Sequence, residues 1–376
     1  MSILSDLKYL VISDIHLGHA KNTTQDILAN LRDYFENFGD RGFFTQLDII
    51  FIAGDLFDRL LDLSNSDVAN IQTWVFDLMR YCARHDIQLR MLLGTPSHDW
   101  KQYSIIESVL RISMLDLDFK YINDIEIEHN SLGVDILYVP DVIRPSADKV
   151  LEDVQMAMQE RHLSQVDIAI MHGMFEYQLG NIPKCINTHN SAIYQKLVKH
   201  LIHIGHIHTF SMCGKIIAQG SFDRIAHGEE EAKGGVYVHI ERGEVSHRFI
   251  ENKGARTYKT ITFKSKDLEK CIPQLEKALA KLRIGSFVRL KGGKDHPLLS
   301  SLQQVKADYP DYHFTKLIES EESTVRPAYE LVEITYTPIV ITQDNIVDSL
   351  MTAVQQRHSL PDTKLSELNQ LLESLV

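Results

Sequence analysis

Val11-Ile-Ser-Asp-Ile-His-Leu-Gly-His19 is the stretch on which the reading of this chain turns. The apolar run Leu7–Ile12 predicts a buried strand that carries Asp14 and His16 to its end. Side chains two apart on a strand share a face, so this spacing aims one carboxylate and one imidazole at a single point. Such an oxygen and nitrogen donor set suits a borderline divalent metal: manganese, iron, zinc or nickel. One Asp-x-His pair is weak evidence, but four later stretches end strands in the same way.

Leu47–Ala53 is an apolar run of the kind expected of a strand covered on both faces, and it ends in Gly54-Asp55-Leu56-Phe57-Asp58. Leu89–Leu93 ends in Gly94-Thr95-Pro96-Ser97-His98-Asp99, Val166–Met171 in His172-Gly173, and Leu201–Ile204 in Gly205-His206-Ile207-His208. Between them, Asp67–His85, Ser104–Met114 and Ala147–His162 carry apolar residues at helical spacing. Short strands are expected near Ile125–Glu128, Val134–Val139 and Lys215–Ala218, and a hairpin over Val236–Ile240 and Glu244–Ile250. Alternation of strand and helix, then hairpins, predicts a mixed α/β fold with one mixed sheet, or two sheets, sandwiched between helices. Beyond a boundary at Glu251–Gly254 the pattern is that of a small α+β module: Tyr258–Phe263, Leu268–Leu282, Phe287–Leu290, Leu298–Ala307 and Leu331–Thr335. From Ile341 it is helical only. The division expected is 1–253, 254–340 and 341–376.

A chain of 376 residues, 44% hydrophobic, has enough apolar matter for two or three domains. No apolar run is long enough to span a bilayer, so no membrane association is expected. The N-terminus lacks the pattern of a signal peptide. The four cysteines, Cys82, Cys185, Cys213 and Cys271, form no Cys-x-x-Cys pair, and reduced thiols in a cytoplasmic protein are the simplest reading. The net charge of −12 argues against a uniformly basic nucleic-acid coat. It leaves room for a nuclease, because bound cations and a local basic face supply positive charge where it is needed. Residues 254–340 hold 14 Lys/Arg against 11 Asp/Glu, a net of +3. Lys281, Arg283, Arg289, Lys291 and Lys294 cluster there around one strand. They read equally well as a face tracking phosphates or as a solvated helix end and hairpin.

Ligands in open α/β sheets sit beyond the strand ends. Donors converging there could hold two cations, with a carboxylate such as Asp55 between them. Two ions about 3.5–4 Å apart clamp the attacking and leaving oxygens of an in-line phosphoryl displacement and lower the pKa of a bound water. His98 is then placed to organise the phosphate or protonate the leaving oxygen.

Taken in order, Asp14-x-His16, Gly54-Asp55-x-x-Asp58, Ser97-His98-Asp99, His172-Gly173 and Gly205-His206-x-His208 resemble the signature of calcineurin-like metallophosphoesterases. Within that superfamily the chain is most similar to SbcD-type DNA-repair nucleases, phage exonuclease subunits included. The resemblance implies a four-layer β-sandwich flanked by helices, a small capping domain that contacts DNA, and C-terminal helices. It implies one metal held by Asp14, His16, Asp55 and His208, a second by Asp55, His172 and His206, and His98 as the catalytic imidazole. Manganese is the favoured cation, with magnesium, iron, zinc and nickel as alternatives. Where the family has Gly-Asn-His-Asp, with the asparagine on the second metal, this chain has a longer stretch with Ser97 before the histidine.

In the tail, Ile346, Val347, Leu350, Met351 and Val354 make one apolar stripe, and Leu365, Leu368, Leu371, Leu372 and Leu375 another. Such stripes must be buried against something. The resemblance implies the coiled coil of an SbcC-like, SMC-type ATPase, in a heterotetramer built on a homodimer of this chain. The function expected is a two-metal DNA exonuclease and endonuclease of repair or recombination, acting by metal-activated hydroxide in the cytoplasm, the host's for a phage protein. The alternative is a calcineurin-like phosphatase or small-molecule phosphodiesterase with a regulatory C-terminal module. A DNA-end-binding subunit without turnover ranks last, since every charged ligand and His98 are present.

Overall fold

The computed structural model describes residues 6–20, 22–36, 44–61, 66–99, 102–178 and 187–319. Both faces of the first strand, β1 (Asp6–Ile12), are apolar and both are covered. Leu10 and Ile12 point to one side, into a core shared with helices. Leu7, Tyr9 and Val11 point to the other, into a core shared with a second sheet. This is the period-two alternation of a strand buried twice. The same division holds for β2 (Ile49–Ala53) and β3 (Gln88–Leu92), which follow in parallel register, and β4 (Phe119–Ile122) completes the run.

The second sheet contains β5 (Glu126–His129), β6 (Asp135–Val139), β7 (Ile168–His172), β8 (Ile202–Gly205), β9 (Ser211–Cys213) and β10 (Ile216–Ala218), in the order β5-β6-β7-β8-β10-β9. A hairpin, β11 (Gly234–Glu241) and β12 (Glu244–Glu251), returns to the first sheet and pairs antiparallel with β1. That sheet therefore runs β12-β11-β1-β2-β3-β4.

On the outer face of the first sheet lie α1 (Thr24–Glu36), α2 (Ser66–Arg84) and α4 (Tyr103–Ser113), while the short α3 (Pro96–Asp99) follows the end of β3. The outer face of the second carries α5 (Ala147–Glu160) and α6 (Ser191–Leu197). The result is the expected four-layer sandwich: helices, sheet, sheet, helices. A buried polar network also ties the two sheets. Arg90 on β3 donates to both carboxylate oxygens of Glu128 on β5, at 2.7 and 2.9 Å, and Tyr138 on β6 donates to Glu128 at 2.8 Å.

A third, all-parallel sheet of β13 (Tyr258–Thr262), β14 (Phe287–Gly293) and β15 (His313–Glu319) encloses its own core with α7 (Leu268–Leu279), α8 (Pro297–Ser300) and α9 (Leu302–Asp308). The described residues all fall within one compact unit, 1–321. Helices α1 and α6 and strand β15 were not foreseen from the sequence. The single helix expected over 298–307 is broken in two. The strand expected at 331–335, the C-terminal helices of 341–376 and Lys184 lie outside the described residues. Among the described residues, no helix is long and apolar enough to cross a membrane.

His203 lies on β8 between the sheets, wholly buried, with its ring edge-on to Tyr9 and Nε2 3.2 Å from the Tyr9 hydroxyl. Burial lowers its pKa to about 3, against about 6.5 for an ordinary histidine. Between those two values the unfolded chain takes up a proton that the folded chain refuses. Stability therefore falls as pH drops below about 6.5, at up to about 1.4 kcal/mol per pH unit from this residue. Urea titrations of wild type and His203→Phe from pH 7 to 4.5 check this. The variant is expected to start about 1 kcal/mol lower, for the lost hydrogen bond, and to show a shallower acid slope.

Candidate metal centre

Asp14, His16, Asp55, His98, His172, His206 and His208 all lie at or just past strand ends, and the fold brings them together. Three interlocking groups of possible ligand atoms result: Asp14, His16 and His208; His16, Asp55 and His98; and Asp55, His172 and His206. Asp55 and His16 each belong to two groups.

The local route to this arrangement is not the one the spacing suggested. β1 stops at Ile12, and Asp14 and His16 sit beyond it with φ of +51° and +56°. They converge because both are left-handed, not because they alternate along a strand. Asp55 and His206 share the anomaly, with φ of +49° and +97°. Such conformations are uncommon outside glycine and cost roughly 1–3 kcal/mol each, so the surroundings must enforce them. They do. The amides of Ile15 and His16 both donate to the Asp55 carbonyl, at 2.8 and 3.1 Å, and Leu17 donates to Leu56 at 2.9 Å, which zips the two loops together. The His206 amide donates to both Asp14 carboxylate oxygens, at 2.9 and 3.1 Å.

Glycine makes the closest approaches possible. A Cβ at Gly54, where φ is +87°, would fall 2.1 Å from His172 Nδ1. One at Gly94 would fall 2.1 Å from the Asp55 amide nitrogen and 2.3 Å from its Oδ1. No side chain fits in either place.

The nitrogen and oxygen atoms point where a cation would sit. His172 is buried, and its Nδ1 lies 2.8 Å from the Ala53 carbonyl, so Nδ1 carries the proton. Its Nε2 has no hydrogen-bond partner and stands 3.3 Å from Asp55 Oδ1. His208 Nδ1 donates to Glu229 at 2.9 Å, and its Nε2 faces His16 Nε2 at 3.1 Å. The other nitrogen of His16, Nδ1, is 3.3 Å from Asp58. Two imidazole nitrogens this close need either a proton or a cation between them. Carboxylates on the far nitrogens are also what orients metal-ligating histidines. The residues present therefore fit a pair of divalent cations, one beside Asp14, His16 and His208, the other beside Asp55, His172 and His206.

The electrostatics agree. Burial pushes the Asp55 carboxyl up, but His172, His98 and His16 around it outweigh burial and hold it far below the usual carboxylate range. Burial and the neighbouring His172 push His206 down to about 4, which keeps it a neutral donor. His98 lies partly exposed, with Nδ1 3.0 Å from Asp55 Oδ2, and that bond raises its pKa.

Asp58 faces His16, whereas Asp99 faces two backbone amides. Its two oxygens accept the amides of Phe57 and Gly94, at 3.0 and 2.8 Å, so it pins the backbones of two site loops. Burial and the nearby Asp55 push its pKa up to about 6. Glu229, the partner of His208, was missed, because it opens an acidic run that reads as a solvated loop. Phe175, just past β7, is buried in the second outer core and is not available to stack on a ligand. A cavity of about 310 Å³ opens against the second ligand group, lined among others by Pro96, Asp141, Arg144, His172, His189 and His206.

Fold and donor set together define a two-sheet sandwich with a candidate metal centre at its strand ends. The model of the calcineurin-like phosphoesterase family matches residues 7–210, and the chain belongs to that family. It is accordingly a metal-dependent phosphoester hydrolase. Solved structures similar to it include TT1561 of Thermus thermophilus, at 13% identity over 66% of this chain and 100% of that one, TM-score 0.37. Another is GAP50, the anchor in the inner membrane complex of Plasmodium, at 12% identity over 66% of this chain and 85% of that one, TM-score 0.37. No curated protein matches the chain.

Manganese added to the metal-free protein is expected to raise its stability by about 2.7 kcal/mol at a hundredfold excess over Kd, and chelation to reverse the gain. Asp55→Asn should remove the part of that response that comes from the cation beside Asp55, His172 and His206, as read in a thermal-shift titration.

Proposed function

We propose that this protein is a DNA nuclease of the SbcD type, hydrolysing phosphodiesters as an exonuclease and, on suitable substrates, as an endonuclease. The observation that carries the reading is the juxtaposition of two ligand groups around Asp55 with a cavity beside them. That cavity is at the lower end of the range for small-molecule sites, and one nucleotide is of matching size. When bound, the two cations supply positive charge to the phosphoryl oxygens and acidify water at the site.

The chain's own contribution is positional. Asp55, buried and shared, fixes the spacing of the histidines. His98 turns Nδ1 to Asp55. Its other nitrogen is then free to meet a phosphoryl or leaving oxygen, and the raised pKa favours the protonated form that donates. Glu229 holds His208 in the tautomer that presents Nε2, and the Asp58 carboxylate lies 3.3 Å from His16 Nδ1. Manganese remains the cation of choice.

DNA contact through residues 254–340 and capture of an SbcC-like ATPase by 341–376, in a heterotetramer with two copies of this chain, are part of the same proposal. Support for the DNA face is partial. Arg289 and Lys291 share one face of β14, opposite Val288 and Leu290. Lys291, however, pairs with Glu319 at 3.3 Å, and Arg283 donates to the Lys253 carbonyl. Arg289 lies close enough to Glu230 to feel its charge.

The decisive assay offers linear, nicked and single-stranded DNA with manganese or magnesium. Wild type is expected to cut; Asp55→Ala to be inactive; His98→Ala to bind cations normally and lose about 10²–10⁴-fold in kcat. Inactivity on every DNA, with turnover of a protein phosphoester or a cyclic nucleotide, would replace this reading with that of a phosphatase or small-molecule phosphodiesterase.

A further inference from the structure

We propose that the Thr95 hydroxyl, not Ser97, supplies a neutral oxygen ligand to the second cation, beside Asp55, His172 and His206. The inference rests on the reading that these residues hold a cation. Thr95 Oγ1 lies 3.2 Å from Asp55 Oδ2 and 3.4 Å from His206 Nδ1. Two donors each about 2.1–2.2 Å from a shared ion, at roughly a right angle, are separated by about 3 Å. The hydroxyl thus stands where a further donor to that ion would stand, next to two members of the group.

The proton of the hydroxyl is already spoken for. Asp55 is a carboxylate and can only accept, so Thr95 donates to it. The lone pairs of Oγ1 are left to face a cation, an arrangement in which the carboxylate and the alcohol reinforce each other. The residue is also clamped in place. Its amide donates to Asp55 Oδ1 at 2.6 Å, and Gly94 before it packs against Asp55 so closely that no Cβ would fit. Ser97, by contrast, is exposed, one residue into the four-residue α3. The extra length of the 94–99 stretch brings a hydroxyl to the ligand group two positions earlier.

The test counts ligands rather than turnover, on the full-length protein. Calorimetric titration with manganese is expected to show two sites in wild type. Thr95→Val should weaken one of them tenfold or more, Thr95→Ser should restore it, and Ser97→Ala should leave both unchanged. Because Thr95→Val also removes the hydrogen bond to Asp55, a second measurement reports ligation directly. Thr95→Cys loaded with cobalt(II) should show a sulfur-to-metal charge-transfer band, since a thiolate at that position is a stronger donor than the alcohol. Wild type and Ser97→Cys should lack the band. A band in Ser97→Cys, or in neither variant, overturns the assignment, as does loss of the weaker site in Ser97→Ala but not in Thr95→Val. Wild type that binds no manganese at all would instead overturn the metal reading on which the inference rests.

Discussion

A single buried carboxylate, Asp55, sets the terms for everything around it. It is almost wholly removed from water, on a left-handed residue, at the end of a strand buried on both faces. An ionised carboxylate in such a place is costly unless matched by positive charge and hydrogen bonds. Here the Thr95 amide, the Thr95 hydroxyl, His98 and His172 all turn toward it. Protons on the histidines provide the charge when no metal is bound; cations provide it more strongly when they are. Left-handed Asp14, His16, Asp55 and His206 add strain that only the sandwich beneath them can hold. The broad apolar cores on both sides of β1, β2 and β3 give the scaffold stiffness enough to do so.

What could be read from the sequence follows from this division of labour. Strands such as Ile49–Ala53 and Ile168–His172 were legible because double burial demands uninterrupted apolar residues, and runs this short, β-branched and followed by glycine read as strand rather than buried helix. The side chains that cluster at the candidate centre were legible because they are charged or imidazole groups stranded at the ends of those runs. The reason first given for Asp14 and His16 was nevertheless wrong in detail. Strand alternation does not bring them together; backbone dihedrals and hydrogen bonds to the Asp55 carbonyl do, and neither leaves a mark in composition. Asp99 follows His98 in the sequence, but its partners in space are two amides, and composition does not announce that. Thr95 and Glu229 stayed hidden because a threonine in a Pro-containing turn and a glutamate in an acidic run are ordinary loop chemistry until the fold is known. Strand β15 escaped because most of its side chains are exposed and carry no period.

Glu229 also shows how the third sheet is tied to the centre. Glu229 and Glu230 are consecutive and look opposite ways. Glu229 turns inward and accepts from His208 Nδ1 at 2.9 Å. Glu230 turns outward, accepting the Thr260 amide at 2.7 Å and the Lys259 ammonium at 2.6 Å, both on β13. The loop that carries them is stapled at both ends. Arg224 reaches the carbonyls of Glu231, Ala255 and Arg256, while buried Lys233 reaches the His208 carbonyl at 2.8 Å and Glu231 at 2.6 Å. A shift of β13 that dragged Glu230 would have to be absorbed within one peptide unit before it reached Glu229, the partner of the candidate ligand His208. Carboxylates in that position tune both the orientation and the basicity of the ligand they hold. The third sheet is thus more than an appended module: its first strand is two side chains and one peptide bond away from the metal centre, and the geometry of His208 depends on where that strand lies.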